Sequence, residues 1–169
     1  MAVVPAAAYN SIAHDVGGGP MKLIFFLGLG AAMAAGDAEA AMHWRWQCAG
    51  PGFEATGEFT TEDRPGLDGF YSITGVTGEA NGVQITGVQP AKTAIPGNEG
   101  WPVDNLIRAD KPQLSPGGFG FALVDGSFAN PFFGEHFDPP GFLAVVSDPE
   151  RHVWREPRVN FEAVRSDGP

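Results

Sequence analysis

The stretch His43-Trp44-Arg45-Trp46-Gln47-Cys48-Ala49-Gly50-Pro51-Gly52-Phe53-Glu54-Ala55-Thr56-Gly57-Glu58-Phe59-Thr60 decides the fold. In its first half His43, Arg45 and Gln47 alternate with Trp44, Trp46 and Cys48. In its second half Phe53, Ala55, Gly57 and Phe59 alternate with Glu54, Thr56, Glu58 and Thr60. Successive side chains of a strand point to opposite faces, so a period of two segregates the apolar set onto one face of each segment. With Ala49-Gly50-Pro51-Gly52 as the turn, the two halves read as an antiparallel hairpin, one face apolar and one wet. Cys48 falls on the apolar face and is expected as a buried small hydrophobe, the other reading being a free or dimer-forming thiol. It is the sole cysteine of the 169 residues, so no intramolecular disulfide can form and stability must come from packing.

The pattern recurs towards the carboxy end. Asp63-Arg64-Pro65-Gly66 breaks the chain, and Phe70-Tyr71-Ser72-Ile73-Thr74-Gly75-Val76-Thr77 is rich in β-branched and aromatic residues. Asn81-Gly82 tolerates the positive φ of a type I′ hairpin turn, after which Val83 and Ile85 face inward. A loop dense in Pro and Gly runs from Gln89 to Asp104. Leu106-Ile107 form a short strand, and Phe119, Phe121 and Leu123 alternate in another. Ser127 to Gly141, with Pro131, Pro139 and Pro140 among four phenylalanines, reads as a surface loop or edge segment. Phe142-Leu143-Ala144-Val145-Val146 reads as a strand buried on both faces, and Val159, Phe161 and Ala163 alternate in the last strand, with Pro157 at an edge or bulge. Eight or nine short strands with turn signals between them predict an all-β fold, an antiparallel β-sandwich or small barrel.

Upstream of the hairpin the character changes. Lys22, the apolar run from Leu23 to Ala35 and the small-x-small sequence Ala38-Glu39-Ala40 have the order of a secretory signal peptide, with cleavage expected between Ala40 and Ala41 and Gly36-Asp37 as a second position. The apolar run is shorter than the roughly 20 residues of a membrane span. The expected organisation is a disordered leader at 1–20, upstream of a translation start at Met21; a signal-peptide helix at 21–40; one β domain at 41–165; and a flexible tail at 166–169. The expected location is secreted or periplasmic, with no membrane span after cleavage.

Tyr71-Ser72-Ile73-Thr74-Gly75-Val76-Thr77-Gly78, Asn81-Gly82-Val83-Gln84-Ile85-Thr86-Gly87, Asp104-Asn105-Leu106-Ile107 and Gly117-Gly118-Phe119-Gly120-Phe121 resemble the β-rich body of bacterial exported proteins of the PEP-CTERM type. The carboxy end, Ser166-Asp167-Gly168-Pro169, does not match the sorting tail of that family. The resemblance therefore implies an exported β domain and offers no catalytic residues.

Charge narrows the partners. Twenty Asp and Glu against ten Lys and Arg give a net charge of −10, and residues 1–40 hold only Asp15, Asp37 and Glu39 against Lys22, so the excess persists beyond them. A phosphate-binding face needs clustered cations, which argues against nucleic acid. The carboxy-terminal cluster Arg151, Arg155, Arg158 and Arg165 is interleaved with Asp148, Glu150, Glu156 and Glu162 and reads as a solvated, ion-paired strand.

Chemistry-bearing residues are sparse. No zinc-ligand spacing, nucleophile elbow or calcium loop appears, and no cofactor is expected. In Glu135-His136-Phe137-Asp138, His136 and Asp138 can share one side of an extended chain as a metal pair or acid–base dyad, against the reading of a polar loop tip. Trp101, Phe132, Phe133 and Phe137 form either a platform for a sugar ring or partner side chain, or a cover for the ends of the sandwich. Asp104 and Asn105 are polar contacts for such a ligand, or Asn105 only bonds the local backbone. The favoured expectation is a non-catalytic binding or structural domain at the cell envelope or extracellular matrix, its partner an extracellular glycan or envelope protein. The alternative is a small secreted hydrolase of glycans or esters using Asp104 or Asp138 with His136. Amino-terminal sequencing of the exported protein is expected to begin at Ala41; peptide mass spectrometry of the precursor that finds any peptide from residues 1–20 would overturn the start at Met21.

Overall fold

The computed structural model describes residues 41–166, which fall within one compact unit, Asp37–Pro169. The expected leader, signal-peptide helix and cleavage site before Ala41 lie outside the described residues. Ten strands follow in order: β1 (Met42–Gly50), β2 (Phe53–Thr61), β3 (Tyr71–Ala80), β4 (Val83–Val88), β5 (Leu106–Ile107), β6 (Phe121–Leu123), β7 (Phe128–Gly134), β8 (Gly141–Asp148), β9 (Val153–Arg155) and β10 (Arg158–Ser166). All pairings are antiparallel, in the spatial order β10-β1-β2-β3-β4-β6-β7-β8, and β10 returns to β8 through Arg158↔Leu143 and Val159↔Phe142. That contact closes the sheet. The fold is the small barrel of the two architectures expected, an up-and-down meander of eight strands, with β5 appended to β3 and β9 to β8.

The β1–β2 hairpin behaves as its alternation demands. Trp44, Trp46, Cys48, Phe53, Ala55 and Phe59 are buried while His43, Arg45, Gln47, Glu54, Thr56 and Glu58 face water. Burial pushes the Cys48 thiol up to about 12, so at neutral pH it stays protonated and unreactive. Asn81 and Gly82 take φ of 50° and 77° at the β3–β4 turn. Asn81 Oδ1 also accepts from the Glu54 N–H at 2.9 Å, which ties this turn to β2.

Closure of eight strands leaves room for side chains or for one small ligand. Here side chains fill it. Trp46 stacks on Phe59 at 5.2 Å and meets Phe119, Phe121 and Phe161 at 5.2, 5.9 and 6.5 Å between ring centres. Phe119 is fully buried yet belongs to no strand; it arrives on the connection between β4 and β6. From the same connection Gln113 bonds both the carbonyl (2.7 Å) and the N–H (3.0 Å) of Ala163, doing for β10 what a neighbouring strand would do.

One expectation is corrected. Ser127 to Gly141 is not a loop throughout, because β7 runs through Pro131 in register with β8. Proline is tolerated because the ladder asks no donor of it: Pro131 lies opposite Ala144, whose N–H goes instead to the Pro157 carbonyl at 3.0 Å. The period of two is intact in β7, but both faces carry apolar side chains. Ala129 faces the barrel core, and Phe128 and Phe132 pack on a second cluster outside it. Pro157 interrupts the last strand as expected. The pairs Arg155↔Val146 and Arg158↔Leu143 keep one register across it, so β9 and β10 are one strand with a broken ladder.

The arginine cluster is less ion-paired than its spacing suggests. Arg151 meets Asp148 at 2.6 Å, whereas Arg155 and Arg158 donate to the carbonyls of Gly52 and Pro139, and Arg165 lies over the rings of Trp44 and Tyr71. β10 extends through Ser166, which pairs with His43.

Phe119→Ala is expected to cost about 3–5 kcal/mol in urea unfolding, the range for truncating a buried aromatic. A loss below about 1 kcal/mol would show that this connection does not help to hold the barrel.

Candidate functional site

The filled interior sends the search outside the barrel. β8 is buried on both faces because residues 89–104 fold over its outer side. There Ile95 and Val103, at 0% and 1% exposure, pack with Val145, Phe128 and Phe132. The segment is a small hairpin in its own right, with Lys92 N–H to Val103 O at 2.7 Å and Val103 N–H to Thr93 O at 2.9 Å. Ser147 Oγ pins it to β8 by donating to Pro96 O at 2.5 Å. Turn bonds from Asn98 to Ile95 and from Trp101 to Asn98 shape its tip and leave Trp101 73% exposed.

Two other elements face that tip. Trp154 pairs with Ser147 and Glu156 follows two residues later, so both project on the same side of the sheet as Val145. After β7 the chain turns at Gly134, where a Cβ would lie 2.4 Å from the Phe137 ring; only glycine lets that ring fold back here. Together these elements enclose a cleft of ≈ 530 Å³. Phe132, Phe133 and Val145 contribute to its lining with Trp101, Phe137 and Trp154, and Glu135, His136, Glu156 and Asn98 supply polar groups. Trp101, Phe137 and Trp154 are the exposed large aromatic residues among the described residues, and all three line this cleft.

The residues singled out from sequence separate into two groups. Trp101, Phe132, Phe133 and His136 come together in the cleft. Asp138 is exposed and is not part of its lining. His136 lies 3.4 Å from Glu135, with 91% of its side chain exposed. Asp104 is turned into the protein, where its Oδ1 accepts from Ser115 Oγ at 2.5 Å; burial raises its pKa and hydrogen bonds from Ser115, Leu106 and Gly117 oppose the rise.

Asn105 is a structural clasp. It is 4% exposed at φ 57°, its Nδ2 donates to Gln89 O at 2.7 Å and its Oδ1 accepts from Gly120 N–H at 3.2 Å. Its own N–H goes to Gly118 O and its carbonyl accepts from Ile73, both at 2.8 Å. All its polar groups serve the backbone, which is the second of the two roles expected for it.

Trp154 and Glu156 were not singled out by sequence, because they sit among charges in the arginine-rich segment. The usable signal was a tryptophan in the otherwise charge-rich segment His152-Val153-Trp154-Arg155-Glu156, since a large aromatic there needs a cover or a ligand. Burial raises the Glu156 carboxyl above the usual range. Among the described residues no group of three or more His, Cys, Asp or Glu is arranged to hold a metal ion. The chain matches no protein-family model, no curated protein and no solved structure.

Asn105→Ala is expected to destabilise the domain by about 1–3 kcal/mol through the buried Gly120 N–H left unpaired, with a smaller loss from the part-buried Gln89 carbonyl, read by thermal and urea unfolding. His136→Ala and Asp138→Ala are expected within about 0.5 kcal/mol of wild type. Equal effects from the three would show that Asn105 is not a clasp.

Proposed function

We propose that this protein is an exported, non-catalytic binding domain of the cell envelope or extracellular matrix, and that it binds a glycan in the cleft between Trp101, Phe137 and Trp154. The carrying observation is the convergence on one concave site of the three large aromatic side chains that are exposed among the described residues. An unpartnered tryptophan face in water is a cost that a packed domain removes unless something uses it. The faces of pyranose rings present C–H groups that stack on indole and phenyl rings, while the ring edges present hydroxyls for the polar groups of the rim.

The export half of this reading rests on the signal-like segment before Ala41 and on the resemblance of the body to exported proteins. The non-catalytic half rests on how the polar residues are used. Asp104 is held by Ser115, Asn105 by four backbone groups, and His136 stands beside Glu135 at the surface. Nothing in that arrangement sets an acid and a base on opposite sides of one bond.

Titration calorimetry with a panel of neutral and charged oligosaccharides is expected to find a binder. Trp101→Ala and Trp154→Ala should each weaken it by about ten-fold or more without lowering Tm, since both side chains are exposed. Absence of any binding sugar, or unchanged affinity in both variants, would overturn the assignment; turnover of a sugar substrate by the wild type would overturn its non-catalytic part.

A further inference from the structure

The charge of the cleft selects among glycans, and this step rests on the proposed function above. Its lining holds Glu135, which has His136 beside it at 3.4 Å, and Glu156, and neither lysine nor arginine. Neither arginine that flanks it makes an ion pair with the carboxylates of the cleft. Arg155 reaches back to the Gly52 carbonyl, and Arg158 donates to Pro139 O while its guanidinium lies 5.9 Å from the Phe137 ring centre. Glu156 is half-buried, and its side chain has neither an ion pair nor a hydrogen bond among the described residues. A carboxylate in that setting has lost part of its water and gained no counter-charge, so a cation brought beside it recovers more than it would at an open surface. The aromatic rings favour the same sign, because the face of an indole or phenyl ring is the negative end of its quadrupole and attracts an ammonium group.

We propose that the cleft takes a cationic glycan, one whose sugars carry a free ammonium, with the pyranose faces on Trp101 and Trp154 and an ammonium beside Glu156. A sugar acid would place its carboxylate against Glu135 and Glu156 and is disfavoured. An N-acetylated sugar keeps the stacking surface but loses the charge, and gains an acetyl group with no cation to balance Glu156. The excess of acidic residues over the whole chain, net −10, draws such a ligand in at long range without adding specificity.

The test compares two tetrasaccharides with the same backbone, the β-1,4-glucosamine tetramer and its fully N-acetylated form, by calorimetry at about pH 6, where an amino-sugar ammonium and ordinary carboxylates are both charged. The free-amine tetramer is expected to bind about ten-fold or more tightly than the acetylated one, with the ratio shrinking as salt is added. Glu156→Gln should bring the free-amine affinity towards that of the acetylated tetramer, and Trp101→Ala with Trp154→Ala should weaken both. If the acetylated tetramer, or a neutral hexose oligomer, binds as tightly as the free amine, the charge inference falls and glycan binding stands. If the free amine binds the double tryptophan variant as well as the wild type, the attraction belongs to the acidic surface at large, and the inference falls. If no sugar binds, both readings fall together.

Discussion

Phe119 is the contact on which the rest of the molecule depends. It packs edge-on against Phe59 at 4.7 Å and Trp46 at 5.2 Å and lies 5.6 Å from Phe121, all inside a barrel to which it contributes no strand. An eight-stranded closure has an interior that must be filled to native density, and here a ring from outside the strands takes part in filling it. The β4–β6 connection supplies that ring together with Leu114. The cost is visible nearby: Trp46 Nε1 is buried without a hydrogen-bond partner, an expense of about 1–3 kcal/mol that its contacts with four rings must offset.

Drawing that connection inward has a second effect. A chain that inserts Leu114 and Phe119 must leave β4 and return to β6, and the part between is anchored by Asn105 to Gln89 and Gly120 and by Gln113 to β10. Residues 89–104 are thereby held over the outer face of β8, where Ile95 and Val103 bury Val145. The aromatic cleft is the open border of this outer layer. Its Trp101 wall is positioned by the same segment that begins and ends at the Asn105 clasp, so the site and the plug of the barrel are two uses of one connection.

What could be read from the residues follows from where each side chain's partner lies. β1, β2 and β10 have one wet face, so alternation over Trp44–Cys48, Phe53–Phe59 and Val159–Ala163 exposed them directly. β7 was hidden because its outer face is covered by a segment some thirty residues earlier, which turns an alternating strand into an unbroken mixture of Phe, Ala and Pro. Barrel against sandwich could not be decided locally, since closure needs the first strand to pair with the last, Ala49 opposite Asn160 and His43 opposite Ser166, and nothing in the local pattern of either segment names the other as its partner. Within the site, Trp101, Phe132 and Phe133 stood out as aromatics beyond the regular strands. Trp154 and Glu156 did not, because their membership depends on β9 continuing the register of β10 through Pro157, and proline in a sequence argues for a break rather than for continuity.

That continuity also explains why the cleft is placed where it is. A closed barrel has no edge and satisfies its own backbone, so its wall offers a ligand only side chains. At β9 the last strand overruns the closure: it pairs with β8 on one side, while β1 has already ended at Gly50 and turned back through Gly52. All three residues of β9 are exposed as a result. Side chains on this overhang face the outer layer on one side and solvent on the other, with no neighbouring strand to bury them, and the cleft forms where Trp154 meets the tip of residues 89–104. Val153, on the same side of the strand as the buried Val159 and Phe161, is left exposed by the overhang, while Trp154 and Glu156 share the outward side with Arg158 and Asn160. An aromatic and a carboxylate can be kept there for what they contact outside the chain, at little cost to the core that carries them.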